Sequence, residues 1–244
     1  MINKLVHLKE FQAVLKDYRI SDVGKRILAQ TKLVLMAGPT SAGRNTIINA
    51  LMGTDEYHSI VSDTTRAPRE NDGVMEQDGV EYWFRSEEEM LADLKEGKFL
   101  EAALIHNQQV SGISLRELEL ANRQNKVAVN EIEIVGMQNI IEAKPDAFAL
   151  FVVPPSFKVW MQRLEGRGKL PDIEKRRRLE SALKEFETAL TSDYYIFIVN
   201  DTFQHSVERI HKRVIEGVHD PVHQAHGRDV IEKLLVDTQA YLSK

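Results

Sequence analysis

The chain has 244 residues, of which 43% are hydrophobic and 28% charged, and its formal net charge is −5. This is the composition of an ordinary globular protein with one sizeable core. The negative charge argues against nucleic-acid binding by bulk charge, and no apolar run approaches the roughly 20 residues of a membrane span. The absence of cysteine excludes disulfides and thiolate metal sites. Because the N-terminus also lacks the apolar segment of a signal peptide, we expect a cytoplasmic protein.

The first 31 residues predict a helical extension. Apolar residues between positions 5 and 29 recur mostly at helical spacing, with a break near Ser21 and Asp22. We expect this extension to pack either on the rest of the chain or on a second copy of it. A homodimer formed through the terminal helices is therefore one hypothesis for the assembly.

Residues 32–53 have the pattern of a strand, a glycine-bounded turn and a helix. The apolar run from Leu33 to Ala37 leads into the sequence GPTSAGRNT, after which apolar residues recur at helical spacing. This layout binds polyphosphates through backbone N–H groups and a helix N-terminus, in the pattern G-x-x-x-x-G-K-[ST]. Arg44 stands where that pattern has lysine, and Asn45 stands where it has a hydroxyl. The sequence predicts a phosphate loop and leaves open whether the loop is a working or a degenerate one.

The remaining elements alternate between strands and helices. Residues 59–84 predict irregular chain with short strands, and Ser86–Glu89 and Ser114–Glu117 have the sequence of capping boxes that open helices. Strands are predicted at residues 98–106, 127–136, 148–156 and 194–200, and helices at 157–164, 172–190, 206–214 and 229–242. This alternation predicts an α/β fold with a three-layer parallel sheet.

Two details of this pattern concern charged and metal-binding side chains. In the strand predicted at residues 127–136, alternation places Glu131 and Glu133 on the same side. After Gly217, the residues His219, His223 and His226 predict a turn between two helices. We interpret these histidines as solvated and assign no metal to them, although their spacing would suit a transition metal.

Taken together, the motifs resemble those of guanylate kinases over residues 32 to about 215. They are GPTSAGRNT, VSDTTRAPR, EYWF, FLEAA, NEIEIVG, VVPPS, LEGRG followed by RRRL, and VND. The resemblance implies a fold of the P-loop nucleoside monophosphate kinase type at residues 32–216. Residues 1–31 would form the N-terminal helical extension and residues 217–244 a C-terminal helical tail. The implied activity is transfer of the γ-phosphoryl group of ATP to GMP or a close analogue, with Mg²⁺.

The resemblance also assigns residues to the acceptor GMP. Ser62, Arg66, Arg69 and Tyr82 match the residues that hold its phosphate, which suits guanidinium forks and hydroxyls. Glu101 and Glu133 match the carboxylates that bind guanine. Guanine presents two adjacent donors at N1 and its amino group, and an ionised carboxylate only accepts hydrogen bonds. Glu133 stands where the family usually has aspartate, which is one methylene shorter.

On the donor side, the resemblance implies that the phosphate loop cradles ATP and that arginines stabilise the transferring group. The catalytic candidates are Arg44, Arg167 and Arg178, of which the last two match arginines of the lid helices. Asn45 and Glu131 are the candidates for Mg²⁺, with Glu131 acting through bound water. The loop residues implied to bind ATP are Gly38, Ser41, Ala42, Gly43, Arg44, Asn45 and Thr46.

Several positions depart from the family pattern. Besides Arg44 and Asn45, Ser41 replaces a common glycine, no aromatic pair precedes Gly112, and the segment from residue 70 to 79 is longer than usual. The loop changes concentrate on the ATP side, while the monophosphate side is mostly intact. A second hypothesis follows, namely a catalytically impaired guanylate-kinase-like module that binds a nucleotide or a phosphorylated protein partner.

Overall fold

A computed structural model describes residues 5–71, 73–166 and 171–243. The helices of these residues are α1 (Leu8–Lys16), α2 (Asp22–Gln30), α3 (Arg44–Met52), α4 (Glu87–Lys95), α5 (Leu115–Arg123), α6 (Ile134–Ala143), α7 (Phe157–Glu165), α8 (Asp172–Thr191), α9 (Phe203–Val214) and α10 (Pro221–Leu242). The strands are β1 (Leu33–Ala37), β2 (Tyr57–Ser59), β3 (Asp63–Thr64), β4 (Glu70–Asn71), β5 (Val74–Met75), β6 (Trp83–Phe84), β7 (Phe99–Ile105), β8 (Gln109–Ser114), β9 (Val127–Glu131), β10 (Phe148–Val153) and β11 (Tyr195–Val199). Of the helices in these ranges, none combines the length and apolar character needed to cross a membrane.

The chain divides into two compact units. Unit 1 comprises residues 1–32 and 57–128, and unit 2 comprises residues 33–56 and 129–244. The boundaries expected after residues 31 and 216 stay predictions.

Unit 2 contains the parallel sheet that the sequence predicts. Its strands lie in the order β11-β10-β1-β9, and β1 pairs with β10, and β10 with β11, in parallel register. All five residues of β1 are buried, as expected for a strand covered on both faces. Phe151 of β10 lies 6.3 Å from Phe186 of α8 and 5.5 Å from Tyr195 between ring centroids. The alternation of strands and helices thus folds into the expected parallel α/β architecture.

Unit 1 is built on a second, mixed sheet of order β6-β3-β8-β7. Strand β3 pairs in parallel with β6 and antiparallel with β8, which continues antiparallel to β7. The N-terminal helices belong to its core: Phe11 of α1 is fully buried in a cluster with Met90, Leu94 and Phe99. The Tyr18 hydroxyl donates to the carbonyl of Phe99 at 2.7 Å. The predicted break lies between α1 and α2, where Ser21 caps α2 by accepting from the N–H of Gly24.

The strand predicted at residues 127–136 is wrong in its second half. Strand β9 ends at Glu131, and Glu133 is the N-cap of helix α6, with φ −75° and ψ 150°. Met137 and Ile140 of α6 are buried at helical spacing, and their burial outweighs the strand preference of the preceding β-branched residues. Glu131 and Glu133 therefore do not share one face of a strand.

Two further expectations are corrected by the structure. Helix α10 begins at Pro221, not near residue 229, because Asp220 caps it by accepting the N–H of His223 at 2.8 Å. His223 and His226 consequently lie on the helix and not in a turn. Strand β8 has no counterpart among the predicted strands. It follows a turn at His106 and Asn107, which have φ values of 50° and 56°.

Helix α10 also satisfies backbone groups of β11, the last strand in the sheet order. The Gln224 side chain accepts the N–H of Phe197 at 2.9 Å and donates to the carbonyl of Tyr195 at 2.8 Å. His223 accepts the N–H of Val199 at 3.4 Å through Nε2. An unpaired strand edge invites association with other chains, so the tail covers a structural liability of unit 2.

We expect Gly227→Ala to destabilise the protein, although alanine is the better helix former by about 1 kcal/mol. A Cβ at Gly227 would lie only 2.5 Å from the Cβ of Phe197, so α10 would have to move away from β11. Overpacking of this kind costs about 1–3 kcal/mol. A fall in the thermal midpoint checks this, with His226→Ala on the exposed face of the same helix as control. A midpoint equal to that of the control variant would contradict the close packing.

Candidate functional site

The turn between β1 and α3 depends on two glycines. Gly38 has φ +138°, and a Cβ there would lie 2.4 Å from the carbonyl oxygen of Val152. Gly43 has φ +102°, and its Cβ would lie 2.2 Å from Nδ2 of Asn200. Both conformations strain residues that carry a side chain, and both clearances exclude one. The turn therefore requires the two glycines that bound the predicted phosphate loop.

Ser41 lies inside the same turn in a left-handed conformation, with φ 65°. Ser41 is only 7% exposed, and its Oγ has no hydrogen-bond partner within the part of the chain that the structure describes. A positive φ is uncommon for a residue other than glycine, asparagine or aspartate. The structure thus adopts the glycine-like turn with a serine in it and leaves a buried hydroxyl unsatisfied.

Helix α3 starts directly after the turn without a side-chain cap. Its N-cap is Gly43, which has no side chain to accept the first amides. The opening residues of α3 are Arg44, Asn45 and Thr46, whose N–H groups precede the first intrahelical donor, Ile47. Uncapped amides and the helix dipole make such an N-terminus attract anions.

Three side chains hold the outward carbonyls of the turn. Trp160 Nε1 donates to the carbonyl of Thr40 at 2.8 Å, and Asn200 Nδ2 donates to that of Ala42 at 2.7 Å. Arg163 of α7 donates to Ala42 at 3.4 Å and to the carbonyl of Asn200 at 3.0 Å. Burial lowers the pKa of Arg163. Carbonyls fixed in this way keep the turn in one conformation.

Arg44 forms an ion pair within unit 2. Its Nη2 lies 2.9 Å from Oε1 of Glu131, the last residue of β9, and its side chain is 17% exposed. Glu185 of α8 is also close: burial raises its pKa, and the positive charge of Arg44 opposes that rise. The guanidinium that replaces the loop lysine therefore faces carboxylates.

One face of the unit 1 sheet gathers polar side chains. Thr64 pairs with Phe84 and with Ser111, and Ser111 pairs with Ala103. Directly paired residues share a face, and alternation adds Glu101, two residues from Ala103. The Ser111 hydroxyl donates to Thr64 Oγ1 at 2.8 Å. This register brings Glu101 of β7 onto the same face as the end of β3.

Arg66 lies beyond β3 and is held by a neighbouring hairpin. Its Nη2 donates to Oε1 of Glu76 at 2.8 Å and its Nη1 donates to the other carboxylate oxygen. The guanidinium carbon lies 4.6 Å from the ring centroid of Tyr82. The hydrogen bonds to Glu76 raise the pKa of Arg66.

Comparison with known proteins identifies the family. The guanylate kinase family model matches residues 30–217 of this chain. The guanylate kinase of Corynebacterium diphtheriae is 35% identical over 188 residues, which are 76% of this chain and 95% of that protein. The guanylate kinase of Hahella chejuensis is 34% identical over 184 residues, 75% of this chain and 85% of that protein. The chain belongs to the guanylate kinase family.

A solved structure agrees with this assignment. The crystal structure of guanylate kinase from Anaplasma phagocytophilum superposes with a TM-score of 0.54 at 25% sequence identity, covering 83% of this chain and 93% of that one. The P-loop nucleoside monophosphate kinase fold implied by the sequence motifs is thereby confirmed. The family match ends at residue 217, so α10 lies outside it.

Within this guanylate kinase fold, the residues predicted for the acceptor divide between the two units. Unit 1 contains Ser62, Arg66, Arg69, Tyr82 and Glu101, and unit 2 contains Glu133. Arg66 and Tyr82 are in contact, whereas the side chain of Arg69 is exposed. Glu133 is exposed at the start of α6.

The residues predicted for the donor all belong to unit 2. Those from Gly38 to Thr46 form the turn and the first turn of α3, and Arg44 contacts Glu131. Arg178 of α8 donates from Nε to Glu174 on the same helix at 3.0 Å, so it is engaged in a local ion pair. Arg167 lies outside the described residues.

The sequence reasoning missed several residues that shape the site. Arg163 and Asn200, which hold the turn, lie beside or within the motifs LEGRG and VND, yet neither was given a role. Glu76 lies in the longer segment between residues 70 and 79, which was noted only as a departure. Each of these residues acts through a tertiary contact, either between segments far apart in sequence or across a hairpin, and the sequence pattern carries no signal of such a contact.

The capping box predicted at Ser114 and Glu117 is wrong. Ser114 precedes α5 but makes no side-chain cap, because Glu117 turns into unit 1. It accepts the N–H of Val61 at 3.0 Å, Nε1–H of Trp83 at 3.1 Å and a contact from His58 at 3.1 Å. Burial opposes ionisation of Glu117, but these hydrogen bonds outweigh it and lower its pKa.

Asp63 of β3 is a second buried acid of unit 1. Burial raises its pKa, and the nearby charges of Arg116 and Arg85 oppose the rise. Its Oδ1 lies 2.9 Å from Nη1 of Arg85 and 3.3 Å from Nη2 of Arg116. Asp63 and Glu117 thus anchor the strands that carry the polar face.

We expect Glu117→Gln to lower the thermal midpoint near neutral pH, because hydrogen bonds to a buried charge contribute about 1.5–3 kcal/mol each. A carboxyl whose folded pKa is lowered stabilises the protein above its unfolded pKa of about 4.3 and loses that contribution as pH falls through the folded value. The difference from wild type should therefore shrink below about pH 4. Glu119→Gln, on the same helix and with a side chain that is 43% exposed, is the control. A pH-independent difference would contradict a role for the charge.

Proposed function

We propose that the protein is a nucleoside monophosphate kinase that transfers the γ-phosphoryl group of ATP to GMP or a close analogue, with Mg²⁺. The observation that supports this most is the phosphate loop. Gly38 and Gly43 keep backbone conformations and clearances that only glycine allows, and α3 begins without a side-chain cap. A bound polyphosphate uses this arrangement, because its oxygens accept hydrogen bonds from the uncapped amides of a helix N-terminus.

The residues of the loop fit the phosphates of ATP. The proposed binding groups are the amides from Ser41 to Thr46, together with the Oγ of Ser41, which lacks a partner among the described residues. Asn45 and Glu131 would hold Mg²⁺, Asn45 by its amide oxygen and Glu131 through water. Glu131 would then have to exchange its contact with Arg44. Bound Mg²⁺ and ATP supply the transferable phosphoryl group and the metal charge that neutralises it.

Three arginines would stabilise the charge of the transferring group. They are Arg44 of the loop and, from the lid segment, Arg167 and Arg178. Phosphoryl transfer depends on positioning and on positive charge more than on covalent chemistry. Arg178 can contribute only if it exchanges Glu174, its present partner, for a phosphate.

Six residues are proposed to hold the acceptor. Ser62, Arg66, Arg69 and Tyr82 are proposed to bind its phosphate, and Glu101 and Glu133 to accept from N1–H and the amino group of guanine. Adenine has an acceptor at N1, so a carboxylate opposite it is unfavourable. The proposal therefore includes selectivity for guanine over adenine.

The first test compares GMP with AMP by calorimetry and by coupled ADP release with Mg²⁺ and ATP. We expect wild type to bind GMP much more tightly than AMP. Glu101→Gln should weaken GMP by about 1.5–3 kcal/mol, which is the value of a hydrogen bond to a charged group, and leave AMP nearly unchanged. The control is Glu119→Gln, a partly exposed acid on α5. Equal affinities of the wild type for GMP and AMP would overturn the guanine assignment.

A second candidate function is a module that binds a nucleotide or a phosphorylated protein partner without turnover. The observation that favours it is the ion pair between Arg44 and Glu131 at 2.9 Å. This pair joins the loop cation to the carboxylate assigned to magnesium, so each neutralises the other. Arginine also needs more room between phosphates than lysine.

Arg44→Lys combined with Asn45→Ser separates the two functions. If Arg44 is a tolerated substitute, restoring the usual contacts to phosphate and Mg²⁺ should raise turnover roughly tenfold or more, since about 1.4 kcal/mol corresponds to a decade in rate. ADP release measures this, and Arg44→Lys alone apportions the effect. No ADP release from either wild type or the double variant would favour the binding module. A fast wild type that the substitutions slow would identify Arg44 as an adapted catalytic residue.

For the cellular location and the partners of the protein, we keep the expectations drawn from the sequence. We propose a cytoplasmic enzyme that binds neither membrane nor nucleic acid. A homodimer through the terminal helices stays a prediction. In the structure, α1 packs against α4 and β7 within unit 1, and α10 packs against α8 and β11 within unit 2.

A further inference from the structure

The longer segment after Arg69 forms a hairpin that fixes Glu76. Strands β4 and β5 pair Glu70 with Met75, and Gly73 occupies the turn with φ +81°. At the base, the N–H of Glu76 donates to the carbonyl of Arg69 at 2.9 Å. The N–H of Arg69 in turn donates to the Glu76 carboxylate at 2.9 Å. Glu76 is therefore anchored by its backbone and by its side chain.

This anchored carboxylate takes up one edge of the Arg66 guanidinium. Both terminal nitrogens of Arg66 donate to Glu76, and Nη1 also donates to the carbonyl of Ala67 at 3.0 Å. The two side chains are 11% and 9% exposed. The ring of Tyr82 lies against the guanidinium, with its centroid 4.6 Å from the guanidinium carbon. Arg66 is thus restrained at one edge and on one face.

The remaining edge of Arg66 is available for a ligand. A guanidinium has five N–H donors, and the contacts above use both of Nη1 and one of Nη2. The N–H of Nε and the second N–H of Nη2 are not used by Glu76 or Ala67. Within residues 5–71, 73–166 and 171–243, the further partner of Arg66 is the hydroxyl of Tyr82, which is itself proposed to bind the phosphate. These two donors are adjacent and parallel, which is the arrangement that binds two oxygens of one phosphate.

We propose that Glu76 is a positioning residue for the acceptor site: it holds Arg66 by one edge so that the opposite edge is presented to the phosphate of the nucleoside monophosphate. This inference rests on the proposed function, because it takes the acceptor phosphate as the ligand. Glu76 touches Arg66 and Arg69 and not the substrate. Its contribution is to order, before binding, a side chain that otherwise loses rotamer freedom when it binds.

Glu76 differs from an anion that would compete with the phosphate for Arg66. A carboxylate that competed with phosphate would occupy the edge that the phosphate needs and would have to leave. Glu76 instead leaves the Nε–Nη2 edge of Arg66 unused, and its carboxylate contacts Arg66 and the N–H of Arg69. Removal of the carboxylate should therefore weaken phosphate binding, although it removes a negative charge from the neighbourhood.

Glu76→Gln tests this by calorimetry with GMP and guanosine. We expect the dissociation constant for GMP to rise about tenfold, because Arg66 is no longer preorganised, and that for guanosine to change less than about twofold. The matched control is Glu81→Gln, which removes one negative charge from an exposed residue of the following turn. In an Arg66→Ala background, Glu76→Gln should have no further effect on GMP.

Three results would overturn the positioning role. Tighter GMP binding by Glu76→Gln would make Glu76 a competitor, equal losses for GMP and guanosine would make it a folding residue, and an undiminished effect in the Arg66→Ala background would place its action elsewhere. A wild type that does not bind GMP would overturn the proposed function. Inorganic phosphate then replaces GMP as the probe, and equal phosphate affinities of wild type and Glu76→Gln would overturn the positioning role separately.

Discussion

The turn after β1 is the constraint on which unit 2 depends. Its amides can face one ligand only if its carbonyls point away, and Trp160 and Asn200 hold those carbonyls from the outside. Asn200 reaches Ala42 only because Gly43 has no side chain, since a Cβ there would lie 2.2 Å from its Nδ2. The glycines therefore serve the packing of the turn against β10 and Asn200 as much as they serve a phosphate. Loss of ligand binding alone would therefore not allow other residues to replace these glycines.

Carboxylates pair with three arginines that are proposed to bind phosphates. Arg44 pairs with Glu131, Arg66 with Glu76 and Arg178 with Glu174. The three pairs differ in what they leave available. Arg66 is held at one edge and keeps a second fork, whereas Arg44 is joined to the carboxylate proposed for magnesium. Arg178 is 30% exposed and its partner 35%, so this pair contributes little and can exchange readily. The pairing of Arg44 with Glu131 is thus the feature on which the choice between the two proposed functions depends.

Unit 1 supports its polar face with acids that are buried beneath it. Glu117 ties β6 and the chain around β2 to α5, and Asp63 is paired with Arg85 and Arg116. An acid buried in this way is stable only while its partners remain, because an unpaired buried charge is strongly destabilising. The polar face therefore has a rigid base, and Arg66, which is proposed to bind the acceptor phosphate, is held from the side by the β4–β5 hairpin.

The sequence by itself determined the parallel sheet, the phosphate loop and most helices, because these depend on local periodicity and on glycines at fixed spacing. It also placed Glu101 within β7, whereas the phosphate-binding role that the surrounding motif implies for Arg66 stays a prediction. It failed where a residue had two local options. Glu133 follows a β-branched run, but it is the N-cap of α6 because the burial of Met137 and Ile140 favours a helix there.

Glu117 has the spacing of a capping box, but its carboxylate contacts Val61, Trp83 and His58 instead, and only the folded unit brings these three residues together. Glu76 and Asn200 gained their roles in the same way, because a hydrogen bond between distant segments leaves no periodic trace in the sequence and is decided by tertiary structure alone.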